Sequence, residues 1–135
     1  MDKRVVITGV GAISPLGLTA PTSWNSAIAG RSGVRRMTLI DPDGFASQIA
    51  GEVKDFDPLD YFDRKLIKRI DRYTQFAMIA AREAHENSGI ENTIDPERYG
   101  VIIGSGIGGI NTLEREHKIA LDRGVQRISP FFCPM

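Results

Sequence analysis

Residues 104–109 read GSGIGG, directly after the apolar run from Tyr99 to Ile103. A dinucleotide-binding turn wants glycine at its first, third and sixth positions so that backbone N–H groups can approach a phosphate, and Gly104, Gly106 and Gly109 meet that spacing. The same fingerprint needs an acidic residue ending a second strand about twenty residues on. Asp122 stands instead within a helical pattern, with no strand before it. A second glycine turn, TGVGAISPLG at 8–17, lacks the later glycines of a short-chain dehydrogenase turn. It also places Ile13, Ser14 and Pro15 where the helix would have to start, and proline is excluded from a helix interior. The other use for such glycines is close approach, of backbone to a sheet, a helix or a ligand. A nucleotide-binding oxidoreductase is therefore the weaker reading of the two turns.

Three further groups of residues are candidates for chemistry. His85 follows an alanine stripe and His117 lies near Glu114 and Glu116, but neither has a second histidine or cysteine at metal-ligand spacing. Both read as surface or boundary residues, and no metal is expected. Cys133 sits between Phe132 and Pro134 without a glycine elbow, a helix start or an adjacent base to generate a thiolate, so it reads as a small apolar lining residue. Arg64, Lys65, Lys68, Arg69 and Arg72 are diluted only by Asp63 and Asp71. Spacings of three and four put Lys65, Lys68, Arg69 and Arg72 on one helical face. That face is either solvated or a docking surface for an acidic partner.

The elements that must carry these residues follow from pattern. Val5 to Ile7 is a β-branched run typical of a strand buried on both faces. A loop of about ten residues leads to a helix near Pro21 and Thr22 that presents Trp24, Ala27 and Ile28 on one face and stops at Gly30. Residues 31–47 read as surface loop and 48–53 as a strand. From Asp57 the chain is helical in two pieces, DYFDRKLIKRI and a longer helix from Asp71. The longer one carries the small-residue stripe Phe76, Ala77, Ala80, Ala81 and Ala84, with Gly89 as its stop. Tyr99 to Ile103 is a further strand, followed by a helix through Leu113, His117 and Leu121 to Gly124. Strands alternating with helices indicate an α/β protein with a largely buried sheet.

Composition limits the functions available. The 135 residues are 41% hydrophobic and 25% charged, ordinary for one globular domain. Seventeen basic residues balance seventeen acidic ones, so nothing global favours nucleic acid or an anionic membrane. A single cysteine excludes an internal disulfide and fits a cytoplasmic location. No stretch is long and apolar enough for a signal peptide core or a membrane span. The ending ISPFFCPM is apolar where termini are normally polar, so the chain is either interrupted there or covered by something outside these residues, and the expectation is that it is the first part of a longer chain.

Taken in order, RVVITGVGAISPLG, SWNSAIAGRSGV, IAGEVKDFD, IGSGIGG and ISPFFCPM resemble the N-terminal portion of the β-ketoacyl-acyl-carrier-protein synthases, the condensing enzymes of bacterial fatty acid synthesis. The resemblance covers essentially all of residues 1–135 as one incomplete domain. It implies an α/β, thiolase-like layered fold of helix, sheet, helix, sheet and helix, assembled as a homodimer, with no cofactor. It also implies a two-stage reaction: an acyl group passes from acyl carrier protein to a cysteine, and decarboxylated malonyl carrier protein then attacks the thioester.

What the resemblance implies for individual residues is limited to binding. The nucleophile and both catalytic histidines lie beyond residue 135, and Cys133, His85 and His117 do not match them, so no catalytic residue is expected here. Ile107 matches a position that lines and gates the acyl pocket. Phe132 and Cys133 match positions that reach toward the partner subunit's acyl pocket. Lys65, Lys68 and Arg69 match the basic face that meets acyl carrier protein, which favours docking over solvation for that cluster. A catalytically silent homologue, the chain-length partner of a polyketide synthase, is the alternative within the same fold.

Overall fold

The computed structural model describes residues 4–91 and 93–133. They fall into two compact units, Met1–Phe56 with Ile79–Gly100 and Asp57–Met78 with Val101–Met135.

In the first unit, helix α1 (Ala20–Ile28) begins where Thr19 and Thr22 cap one another. Thr22 N–H donates to Thr19 Oγ1 at 3.2 Å, Thr19 N–H donates to Thr22 Oγ1 at 3.1 Å, and Pro21 sits in the first turn. Both orphan donors at the helix start are thereby satisfied. Strands β1 (Val34–Arg36) and β2 (Ile49–Gly51) form an antiparallel hairpin with Arg35 opposite Ala50. Glu52 continues β2 and pins the connecting loop, accepting from Leu39 N–H at 2.9 Å, Thr38 N–H at 2.8 Å and Thr38 Oγ1–H at 2.7 Å. The long helix α3 (Arg72–Ser88) contributes its residues from Ile79 onward to this unit.

At Gly9 and Gly11 the opening segment lies on α3 with no side chain in between. A Cβ at Gly11 would collide with the carbonyl oxygen of Ala80 and stand 2.7 Å from Ala84 N. A Cβ at Gly9 would meet the carbonyl of Ala84 and Ser88 N. The alanine stripe thus does what its small side chains predict, admitting a second backbone. Glu83 closes the contact by accepting from Ala12 N–H at 2.9 Å and from Ala20 N–H at 2.9 Å, so one carboxylate ties the opening segment to the start of α1. Ser14 and Gly17 exchange backbone bonds of 2.9 and 3.1 Å, making SPLG the tight turn that Pro15 requires.

In the second unit, a 3₁₀ turn (Pro58–Asp60) leads to α2 (Arg64–Ile67), whose N-terminus is capped by Asp63 accepting from Lys65 and Leu66 N–H, each at 2.8 Å. The start of α3 follows. Helix α4 (Ile110–Arg123) then runs to Gly124, and a 3₁₀ turn (Val125–Arg127) leads into the segment from Ile128 to Cys133.

Three expectations need correction. The buried sheet does not form among the described residues: neither Val5–Ile7 nor the run from Tyr99 to Ile103 belongs to a strand, and Ile7 and Ile102 are 86% and 99% exposed. A strand needs lateral partners for its N–H and C=O groups, and among the described residues nothing pairs with either run. The apolar side chains that are buried there are Phe62 and Ile79. Second, the loop predicted over 31–47 contains β1, because Glu52 and the partner strand organise it. Third, the charged helix is only one turn long, and the chain breaks at Lys68–Ile70 before α3. Arg72 is therefore not on one continuous face with Lys65, Lys68 and Arg69. No helix among the described residues is long and apolar enough to cross a membrane.

Two outcomes check this packing. Three hydrogen bonds, that from Leu39 N–H foremost, draw the Glu52 carboxyl down from its ordinary 4.5 to about 2. A depressed folded pKa means the contribution is complete above the unfolded value and disappears as pH falls from about 4.5 toward 2. NMR titration should place the Glu52 midpoint near 2, and a midpoint near 4.5 would show that the loop is not pinned. Gly11→Ala should lower stability in denaturant by roughly 1–3 kcal/mol, because two backbones would have to separate. An unchanged midpoint would refute the contact with α3.

Candidate functional site

The basic residues converge in the second unit. Arg64, Lys65, Lys68 and Arg69 line a hollow of about 460 Å³ with Phe131 as its apolar wall. Lys65 stands in α2, Lys68 ends it, and Arg69 follows with its N–H donating to Leu66 O at 2.8 Å. One turn of helix is thus enough to place the three on a common surface. The Arg69 guanidinium lies 4.8 Å from the centre of the Phe131 ring, within cation–π range. Lys65, Lys68 and Arg69 are exposed, and among the described residues no carboxylate pairs with them. Their charge is available to a partner.

Phe131 was not singled out by spacing; only the fold reveals its role. The segment carrying it is held by Glu116, a carboxylate that is 3% exposed and accepts from Ser129 N–H at 2.7 Å. Arg115 Nε donates to the same carboxylate at 3.1 Å. The Ser129 bond first, then Arg115, hold the Glu116 carboxyl below its ordinary value against the opposing effect of burial. A charged residue four positions after Thr112 on one face of α4 is the signal that pattern reading passes over. That face is the buried one, while Leu113 and Leu121 are 54% and 74% exposed.

Phe132 is half-buried and lines a separate apolar hollow of about 570 Å³ with Ile110, Leu113, His117, Ala120 and Ile128. Cys133 is exposed and unpaired, and Pro134 and Met135 lie outside the described residues. His117 is exposed. His85 is half-buried and meets the Tyr99 ring edge-on at 5.9 Å, a packing contact consistent with a boundary residue.

Ile107 is 76% exposed at the tip of the GSGIGG turn and does not share the hollow of Phe132. Gly108 N–H donates to Ser105 Oγ at 2.9 Å and closes the turn. Nothing stands within 4 Å of where a Cβ would lie at Gly104 or Gly106. Among the described residues, nothing makes either position need glycine for space. Gly109 does, because a Cβ there would overlap the Asp71 carboxylate, which also accepts from the Thr112 hydroxyl in the first turn of α4. An acidic side chain therefore occupies the start of α4, the place where a pyrophosphate would have to sit. The nucleotide-binding reading loses its site. Among the described residues no three His, Cys, Asp or Glu side chains gather where they could hold a metal ion.

Comparison with known proteins bears on family and fold. The family described as "Beta-ketoacyl synthase, N-terminal domain" matches residues 2–135. The 3-oxoacyl-[acyl-carrier-protein] synthase 2 of Staphylococcus aureus (strain COL) is 48% identical over 137 residues, covering 99% of this chain and 33% of that protein. The protein of the same name from Coxiella burnetii (strain RSA 493 / Nine Mile phase I) is 48% identical over 133 residues, covering 98% and 32%. Among solved structures, the ishigamide ketosynthase/chain length factor superposes with a TM-score of 0.72 at 28% identity, over 95% of this chain and 32% of that one. A type II PKS acyl-carrier protein in complex with its ketosynthase gives 0.72 at 26% identity, over 98% and 34%. The fold class is α/β and thiolase-like, as the resemblance implied. The chain spans about a third of the length of the relatives it matches. With a family match along nearly every residue and a ketosynthase backbone beneath it, the chain belongs to the β-ketoacyl synthase family.

Proposed function

We propose that residues 1–135 are the N-terminal part of a 3-oxoacyl-[acyl-carrier-protein] synthase of fatty acid synthesis. One observation carries the reading: proteins of that name are 48% identical across nearly the whole chain, against 26–28% for the ketosynthase structures. In the proposed reaction a cysteine thiolate outside this chain takes the acyl group from its carrier thioester, releasing the carrier thiol. Malonyl carrier protein then loses carbon dioxide, and the carbanion left behind attacks the acyl-enzyme carbonyl. The cysteine departs as thiolate, and the product is a 3-oxoacyl carrier protein two carbons longer. This portion alone is inactive in that scheme, because nucleophile and histidines are supplied elsewhere.

Its contribution is binding. The unpaired cations Lys65, Lys68 and Arg69 form the docking surface for acidic acyl carrier protein, acyl-loaded in the first stage and malonyl-loaded in the second. Ile107 faces the acyl chain, and the open space around Gly104 and Gly106 supports a turn that something else approaches closely. Phe132 and Cys133 belong to the acyl pocket of a partner subunit in a cytoplasmic homodimer, and no cofactor takes part.

The full-length protein, given acyl- and malonyl-loaded carrier protein, should release carbon dioxide and form the 3-oxoacyl product. Absence of condensation in a folded protein would favour the chain-length partner of a polyketide synthase instead. Ile107→Phe should reduce kcat/KM for long primers on the order of tenfold or more while sparing short ones, since a ring would fill the pocket mouth. Equal losses for both would argue against pocket lining. Reversing charge with Lys65→Glu and Arg69→Glu should raise the KM for carrier protein about tenfold and flatten its salt dependence. Unchanged kinetics would return the cluster to a solvated face.

A further inference from the structure

The turn that carries Ile107 has little packing of its own: residues 101–107 are all exposed, and its internal tie is the bond from Gly108 N–H to Ser105 Oγ. What seats it is the start of α3. Asp71 accepts Gln75 N–H on its main-chain carbonyl at 2.9 Å, beginning the helix, and its carboxylate faces Gly109. One carboxylate oxygen accepts the hydroxyl of Thr112, a residue only 5% exposed, and the other fills the space a Cβ would need at Gly109. Two residues on, the Tyr73 ring lies 3.7 Å from where a Cβ would stand at Gly108, whose φ of +74° suits glycine. Both glycines after Ile107 therefore rest on α3, one on a carboxylate and one on a ring.

We infer that Asp71 is a positioning residue for primer selection: by holding Gly109 and Thr112 it fixes the turn from which Ile107 projects, and so the length of acyl chain admitted. This rests on the reading of Ile107 as an acyl-pocket residue. The carboxylate touches no reacting atom. Its effect appears in discrimination between primers, since a turn released at its C-terminal end no longer holds Ile107 in one place.

The experiment compares kcat/KM for a long and a short acyl primer in the full-length enzyme carrying Asp71→Ala, Asp71→Asn, Gly109→Ala and the double change Asp71→Ala with Gly109→Ala. Asp71→Ala should move the long-to-short ratio about fivefold or more toward one, while the salt dependence of the carrier KM stays as in the parent. Asp71→Asn retains an acceptor for the Thr112 hydroxyl and should stay within about twofold. Gly109→Ala forces its methyl onto the carboxylate and should disturb the ratio too. The double change lets that methyl occupy the vacated space and should recover part of the loss. A ratio unmoved by Asp71→Ala, or a double variant no better than Gly109→Ala alone, would overturn the inference. If Asp71→Ala does not fold, Thr112→Val removes the same hydrogen bond, and an unmoved ratio in it is equally fatal. Amide exchange at Gly108 separates the two readings. It should quicken on the order of tenfold in Asp71→Ala even if Ile107 proves remote from the primer, and unchanged exchange would show that Asp71 does not hold the turn.

Discussion

From Ile79 onward helix α3 is the surface on which the first unit is organised, and what makes it so is the absence of side chains at chosen points. Where Gly9 and Gly11 cross Ala80 and Ala84, main chain meets main chain, and a single methyl group on either glycine would have nowhere to go. Close approach of this kind gains dispersion contacts but leaves polar backbone groups to be satisfied. Glu83 supplies the acceptor, taking Ala12 N–H and Ala20 N–H on one carboxylate. A donor at the start of α1 and a donor in the opening segment are thereby answered by one side chain of the helix against which that segment rests.

A second consequence concerns charge. The sequence is neutral overall, seventeen of each sign, yet it presents an unpaired basic surface. The neutrality is spatially divided because several acidic groups are committed to hydrogen bonds within the chain. Glu52 holds the 37–40 loop, Glu116 holds Ser129, Asp63 caps α2 and Asp71 meets Thr112. Carboxylates make these ties well, since they accept two or more N–H or O–H donors and lysine accepts none. The cations are left for the outside. Net charge describes the balance of the chain and not the field at any one surface, which is why composition argues against nucleic acid while saying nothing about a small acidic protein partner.

Much of this was legible in the sequence, and the failures have a common cause. Caps and stops are local chemistry, so Pro21 with Thr22, the start near Asp71, and the ends at Gly89 and Gly124 all read correctly from a few adjacent residues. The alanine stripe was legible for the same reason. Burial is not local. Val5–Ile7 and Val101–Ile103 have the composition of inner strands, but a strand is buried only when others flank it, and among the described residues none do. The α2 region failed differently: a 3.6-residue period continues through Lys68 to Arg72, whereas the backbone breaks to let Asp71 reach α4, a contact forty-one positions away in sequence. Spacing cannot see such a pair, and it cannot see Glu116 to Ser129 either.

The glycines of the GSGIGG turn sort by what demands them. Gly109 is required by a carboxylate and Gly108 by its backbone angle, both within this chain. Gly104 and Gly106 are required by nothing among the described residues: the space around them is open and neither has a positive φ. Glycine costs conformational entropy wherever it replaces a residue with a side chain, so two such positions just before an exposed isoleucine are hard to account for by internal packing. The half of the turn anchored to α3 supplies rigidity, and the unanchored half is where close approach from outside is possible without displacing anything already there.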